Sequence, residues 1–299
     1  MIKRIISSVL TIIIFVACFT GCAIEPTTEV FDGKSLTVYF LDVGQADCSL
    51  MLFPDKTVML IDAGNKADGN EISGFLKGLD ISVIDYFVLT HPHEDHIGGA
   101  VDIFEDFTVS TVCMPEIDEA YQSDSATYEN TVKAIKDEKC RELNLTSGTV
   151  VVEKDDFSVT AVAPRKNSVF SDMNDYSLCL LIDCFTNTLL FTGDAEKSSE
   201  LDMMSDSINL DADILKVGHH GSRDSSTEDF LEKVTPQVSV ISSGKGNTYG
   251  HPHDEAVERL GKIGSKVYRT DTVGTVIAKC YDGGFNIETD NTIELDGNR

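Results

Sequence analysis

From residue 34 onward the chain alternates short apolar runs with amphipathic stretches. Residues 36–41, 48–53 and 57–62 read as strands, separated by Gly44-Gln45 and by the turn signal Pro54-Asp55. Ile72, Phe75, Leu76 and Leu79 fall at helical spacing within 71–79. Residues 86–90 form a short apolar strand, followed by a helix near 97–104 and a polar helix over 127–142. A run of strands then covers 150–153, 157–163, 177–184 and 188–192. Two buried-looking strands, 213–217 and 238–242, are each followed by a helix, at 227–234 and 254–262. Tyr268, 273–279 and 285–289 close the chain. Strands, helices, strands and then strand–helix units predict an α/β architecture with two sheets sandwiched between helices.

The amino terminus follows another pattern. Lys3 and Arg4 precede an uncharged apolar run over 5–19, and Thr20-Gly21-Cys22 follows it. A basic start, an apolar stretch of this length and small residues before a cut mark a secretory signal. Phe19-Thr20-Gly21-Cys22 resembles a bacterial lipobox, which implies a lipid on Cys22 and a protein held outside the cytoplasm at the bacterial membrane. The alternative is an uncleaved signal anchor spanning the bilayer. Residues 1–22 are thus assigned to the signal, 23–33 to a polar tether and 34–299 to one hydrolase domain. Six cysteines follow Cys22, and with no Cys-x-x-Cys pair among them a zinc ribbon is disfavoured.

Composition narrows the chemistry. A hydrophobic content of 41% rules out bulk disorder. The net charge of −26 disfavours an extended basic surface that grips polyanions, and without tryptophan an aromatic platform for single strands has little support.

All seven histidines fall in three tight groups: His91, His93 and His96; His219 and His220; His251 and His253. Each group follows an expected strand, where loops can build a site on a rigid base. His91 and His93, two apart on an extended segment, point the same way and can bind one cation. Asp95 and His96, just beyond, can reach a second. Imidazole with carboxylate suits zinc, manganese or iron, and two adjacent cations would lower the pKa of a shared water until hydroxide forms near neutral pH.

The run His91-Pro92-His93-Glu94-Asp95-His96 resembles the signature of the metallo-β-lactamase fold hydrolases. Residues 190–194 resemble that family's strand-end Gly-Asp, and the segments 40–47, 60–64, 215–222 and 249–252 are together similar to the ComEC/Rec2-like subgroup of competence proteins. This resemblance implies an αββα sandwich of two mixed β-sheets flanked by helices. It implies that Asp194 bridges two metals and that one or two divalent ions, zinc or manganese, serve as cofactor. The second ion is expected on Asp95, His96, Asp194 and one of His219 or His220. The wider family's third histidine for the first metal is missing, since no histidine lies between His96 and Asp194. Asn174-Asp175-Tyr176-Ser177 stands there instead, so a weaker first site and one exchangeable metal are expected.

The resemblance further implies a hydrolase using metal-bound hydroxide, best read as a phosphodiesterase, with Asp95 and His251 as catalytic residues. His251 would protonate a leaving group or grip a phosphate oxygen, with His253 behind it. Asp42, Gln45, Asp47, Asn174, Ser177, Lys245 and His253 are candidates for substrate contact. Asp42, Gln45 and Asp47 read equally well as a turn held by its own hydrogen bonds. Gly244-Lys245-Gly246-Asn247 lacks the spacing of a phosphate-binding loop and reads as a flexible rim. The expected partners are a phosphodiester (DNA, or a small or cell-surface ester) and the membrane through the lipid anchor, with no flavin or nucleotide cofactor. The competing readings are a non-catalytic metal-containing accessory lipoprotein, a phosphorylcholine esterase-like enzyme and a β-lactamase-like enzyme.

Overall fold

The computed structural model describes residues 34–117 and 125–297. The signal, the tether and Cys22 lie outside these residues. Fifteen strands are described: β1 (Leu36–Phe40), β2 (Ser49–Leu52), β3 (Val58–Ile61), β4 (Val83–Val88), β5 (Thr108–Pro115), β6 (Arg141–Leu145), β7 (Val150–Glu153), β8 (Phe157–Ala163), β9 (Cys179–Cys184), β10 (Asn187–Phe191), β11 (Ile214–Lys216), β12 (Val238–Ile241), β13 (Lys266–Arg269), β14 (Thr275–Tyr281) and β15 (Gly284–Asp290). The helices are α1 (Gly69–Gly78), α2 (Glu94–Ile97), α3 (Ala100–Asp106), α4 (Ala126–Glu138), α5 (Lys197–Met204), α6 (Glu228–Val234), α7 (Asp254–Lys262) and α8 (Thr270–Val273).

The strands build two sheets, ordered β15-β14-β1-β2-β3-β4-β5-β6 and β13-β12-β11-β10-β9-β8-β7. Both are mixed: β3 to β6 run parallel, as do β10 to β13, while their other neighbours are antiparallel. Alternate residues of β1 show how the layers form. Leu36, Val38 and Phe40 face the second sheet, and Phe40 stacks on Phe191 at 5.5 Å between ring centroids. Tyr39 points to the opposite face and meets Phe75 of α1. Leu50, Leu60, Ile72, Leu76 and Ile103 seal the first sheet to its helices. Leu190, Leu215, Phe230, Leu231 and Leu260 seal the second sheet to α6 and α7. Strands buried on both faces, such as Val58–Ile61, carry continuous apolar runs for this reason.

Several elements depart from the sequence expectation. The helix near 97–104 is two helices, broken at Gly98 and Gly99. A side chain there would strike backbone atoms of Lys66 and Ala63, so only glycine permits the approach. The polar helix ends at Glu138, with Lys139 left-handed at φ 59°, and the chain turns into the edge strand β6. The sequence reading also passed over β5 and α5. Helix α5 buries Ser199 and Glu200 while exposing Leu201, so it has no apolar stripe to reveal it.

Candidate metal centre

The histidine groups follow the carboxyl ends of parallel strands β4, β11 and β12, and Asp194 follows that of β10. In open α/β sheets this is where ligand sites form. Asp62, just past β3, organises the first loop. Its carboxylate accepts Thr90 N at 2.8 Å and Thr90 Oγ1 at 2.7 Å, and lies 2.8 Å from His96 Nδ1. That bond turns His96 Nε2 toward Asp194 Oδ1, 3.2 Å away. Ser177 Oγ accepts the Asp194 N–H at 3.0 Å and sits 3.3 Å from His91 Nδ1, fixing both residues.

His219 and His220 sit on a kink just past β11. Their φ angles are 46° and 50°, and this left-handed kink brings both Nε2 atoms toward Asp194 Oδ2, at 3.8 and 3.7 Å. His220 Nδ1 donates to the Ser242 carbonyl at 3.0 Å, which aims Nε2 into the site as the nitrogen that can ligate once its proton is displaced. His220 Nε2 stands 3.3 Å from Asp95 Oδ2, whereas His219 Nδ1 is tied to Glu196 at 2.6 Å. Asp95, His96, Asp194 and His220 therefore form one group able to close on a single ion. Next to it, His91 Nε2 lies 3.0 Å from His93 Nδ1 and 3.8 Å from Asp194 Oδ2.

This donor set fits divalent cations. His96 Nε2, Asp194 Oδ1 and Asn174 Oδ1 are buried without a hydrogen-bond partner, and each has a lone pair to give once His96 is neutral. Electrostatics set the condition for this: against burial, Asp194 and Asp62 raise His96 well above the ordinary imidazole value, so a cation must displace the protons of His96 and His220 to take their lone pairs. Burial opposes charge on Asp194, yet the imidazoles of His96, His220 and His91 hold its carboxyl well below the usual range. His220, also opposed by burial, is raised to about 10 by Asp194, Asp47 and Asp95. Burial and the neighbouring His96 push His91 well down, so it is neutral and ready to ligate. Asp95 is brought to about 2, against burial, by its bond from His220 and the charge of His96.

The centre opens into a cleft of about 650 Å³, whose walls include Gln45, Asn174, Lys245, Tyr249 and His251. Four expected substrate contacts lie elsewhere. Ser177 is fully buried and positions His91 and Asp194. Asp47 is buried and receives Lys216 Nζ at 2.6 Å. Asp42 is buried, and its Oδ1 accepts Gly44 N in a turn at 3.3 Å. His253 is outside the cleft lining, precedes α7 and accepts the Arg223 N–H on Nδ1. The sequence reading gave no role to Asp62, Glu196 or Lys216. Only their positions at or just past strand ends pointed to them.

The chain matches the family model described as Metallo-beta-lactamase superfamily over residues 41–245. It is 30% identical over 256 residues to ComE operon protein 3 of Bacillus subtilis, covering 80% of this chain and 32% of that protein. It is 29% identical over 284 residues to Recombination protein 2 of Haemophilus influenzae, covering 93% of this chain and 33% of that one. The chain thus spans about a third of the length of these curated relatives. A solved CmlA beta-hydroxylase mutant matches at TM-score 0.53 and 15% identity, over 82% of this chain and 53% of that one, a likeness of fold alone.

Proposed function

Because this chain belongs to the metallo-beta-lactamase superfamily, in a ComEC/Rec2-like branch, we propose that it is a metal-dependent phosphodiesterase working outside the cytoplasm, tethered by a lipid on Cys22. The observation that carries this reading is the quartet Asp95, His96, Asp194 and His220 at the base of a polar cleft, three of them buried and Asp95 half-buried, with two of its ligand atoms lacking a hydrogen-bond partner. His91, His93 and Asp194 would hold one ion, zinc or manganese, and the quartet the other. When bound, such a pair supplies a water of lowered pKa and positive charge for the non-bridging oxygens of a phosphate.

The chain's own residues position and select. The Gly244 N–H donates to Gln45 Oε1 at 3.0 Å, which fixes the direction of that amide. Gln45 Nε2 then faces His251 Nδ1 at 3.4 Å, so Nδ1 accepts and the ring proton sits on Nε2. Burial, reinforced by His219 and His220, lowers His251 to about 4, leaving it neutral at pH 7. His251 in this state gives a phosphate oxygen a hydrogen bond, which favours the gripping role over delivery of a full proton. The missing third histidine disfavours β-lactam hydrolysis. The recombination named in the Haemophilus influenzae relative favours DNA among the phosphodiesters.

The test is a panel assay of the manganese- and zinc-loaded protein on a bis-aryl phosphate, single- and double-stranded DNA, a phosphorylcholine ester and a β-lactam. Turnover of a phosphodiester, abolished by Asp194→Ala, is the expected result. Turnover of the β-lactam alone, or of none of the panel, would overturn the proposal.

A further inference from the structure

Tyr249 is the most exposed large hydrophobic side chain among the described residues, at 69%, yet it belongs to the wall of the catalytic cleft. Its ring lies nearly parallel to that of His251, with an interplanar angle of 22° and centroids 5.8 Å apart. Gly250 between them has φ +78°, the left-handed turn that folds one ring back over the other. The loop beneath is braced by one side chain. Asn247 donates to the carbonyls of Gly244 at 2.9 Å and His251 at 2.6 Å, and its Oδ1 accepts the His251 N–H at 3.0 Å. An aromatic ring left this open on a braced loop is preorganised to receive a flat partner with little further loss of freedom.

We propose that Tyr249 is a stacking platform for an unpaired nucleobase of the substrate, one step from the phosphate held at the metal centre. The proposal rests on the phosphodiesterase reading of that centre. Three features converge on it. The ring continues an aromatic surface whose other member, His251, faces the centre, with its ring 5.2 Å from that of His219 and 6.1 Å from that of His220. Lys245, on the same rim, supplies a cation within the cleft for a flanking phosphate. The base must also be free of its own stack to reach the ring, so the ligand is a single strand or a strand end. Base stacking tolerates any sequence, because every base presents a π-face. It also gives a chain of net charge −26 a means of holding a nucleotide without many phosphate contacts.

The chain has no tryptophan, so Y249W installs one reporter at this site. With manganese-loaded protein, thymidine 5′-monophosphate is expected to quench the new fluorescence saturably, while 2-deoxyribose 5-phosphate and phosphocholine at equal concentrations leave it unchanged. In parallel, Y249A should raise KM for a thymidine dinucleotide about tenfold or more with kcat within about twofold, and Y249F should behave as wild type. Equal quenching by the base-free sugar phosphate or by phosphocholine, or none by the nucleotide, overturns the platform. Dinucleotide hydrolysis without quenching overturns the platform and leaves the phosphodiesterase reading standing. Base-dependent quenching without hydrolysis of any phosphodiester does the reverse.

Discussion

Replacing Lys216 by Met tests whether the metal centre rests on a buried ion pair. Lys216 and Asp47 are 2% and 4% exposed, and the ammonium meets Asp47 Oδ2 at 2.6 Å while also donating to the Val217 carbonyl at 3.3 Å. Asp47 Oδ1 has no hydrogen-bond partner and faces His220 Nδ1 at 3.5 Å. Met retains most of the stem's apolar volume, so the perturbation is chiefly loss of the charge. It strands a carboxylate with one distant imidazole, and breaking a buried pair in this way costs about 3–5 kcal/mol. Urea denaturation at neutral pH should show that loss, and the D47N/K216M double variant should recover about half of it or more, because no charge is then left unpaired. Acid gives a second readout. The charge of Lys216, acting against burial, keeps the Asp47 carboxyl below its usual range. Its contribution is therefore complete above about pH 4 and fades as pH falls toward the folded value. That contribution should shrink in K216M, where only the imidazoles of His220 and His96 still lower Asp47. A loss below about 1 kcal/mol in K216M, the size expected of an exposed pair, would refute the reasoning. So would a double variant whose loss equals the sum of the single ones.

Glu200 bears the opposite sign. Burial pushes its carboxyl up to about 7 from 4.5, even though Thr227 and Ser226 donate to it. The folded state then binds the extra proton, so stability should decline as pH rises from about 4.5 to about 7, by about 3 kcal/mol, and E200Q should flatten that slope. Saturating manganese, at about a thousandfold over its dissociation constant, should add about 4 kcal/mol and raise Tm on the order of 10 °C; scanning calorimetry after chelation, and on Asp194→Ala, should show that gain missing. Elemental analysis should find one firmly held ion per chain and a second that dialysis removes, because His91 and His93 bring only two imidazoles; two tightly held zinc ions would contradict this. Gly99→Ala drives a methyl group into the Ala63 carbonyl and should lower stability by about 1–3 kcal/mol in chemical denaturation.

The sandwich was legible because its strands are apolar on one or both faces and its turns are punctuated by Gly and Pro. Two of the missed elements lacked that contrast, whereas β5 carried it, with Val109, Thr111, Val112 and Cys113 buried. The edge strand Arg141–Leu145 is polar and largely exposed, and Lys197–Met204 buries a serine and a glutamate in place of an apolar stripe. The metal centre was legible in residue type but not in direction. His91, His93, His96 and Asp194 announce themselves by clustering at strand ends, whereas the choice of His220 over His219 depends on two left-handed residues that no local pattern marks. Ser177 was assigned outward and points inward, since adjacency in sequence to Asn174 does not reveal that its hydroxyl is shared between Asp194 and His91. Lys216 finds its carboxylate 169 residues away, a separation over which sequence spacing has no force.

Charge ties the centre to the size of its substrate. Within the cleft wall, Glu94, Asp95, Asp194 and Asp296 stand against one lysine, Lys245, and the histidines of the centre. Without ions such a lining repels phosphate. With a divalent pair the floor turns positive while the rim stays acidic, so attraction is confined to one phosphodiester. A long duplex needs many neutralised phosphates, each releasing counterions, and the rim offers one lysine for that work. Under the two proposals above, the substrate is a short or single-stranded segment, held at one phosphate by the centre and at one base by Tyr249. The corresponding measurement is the salt dependence of binding: a slope of about one phosphate contact fits this account, and a slope of six or more would refute it.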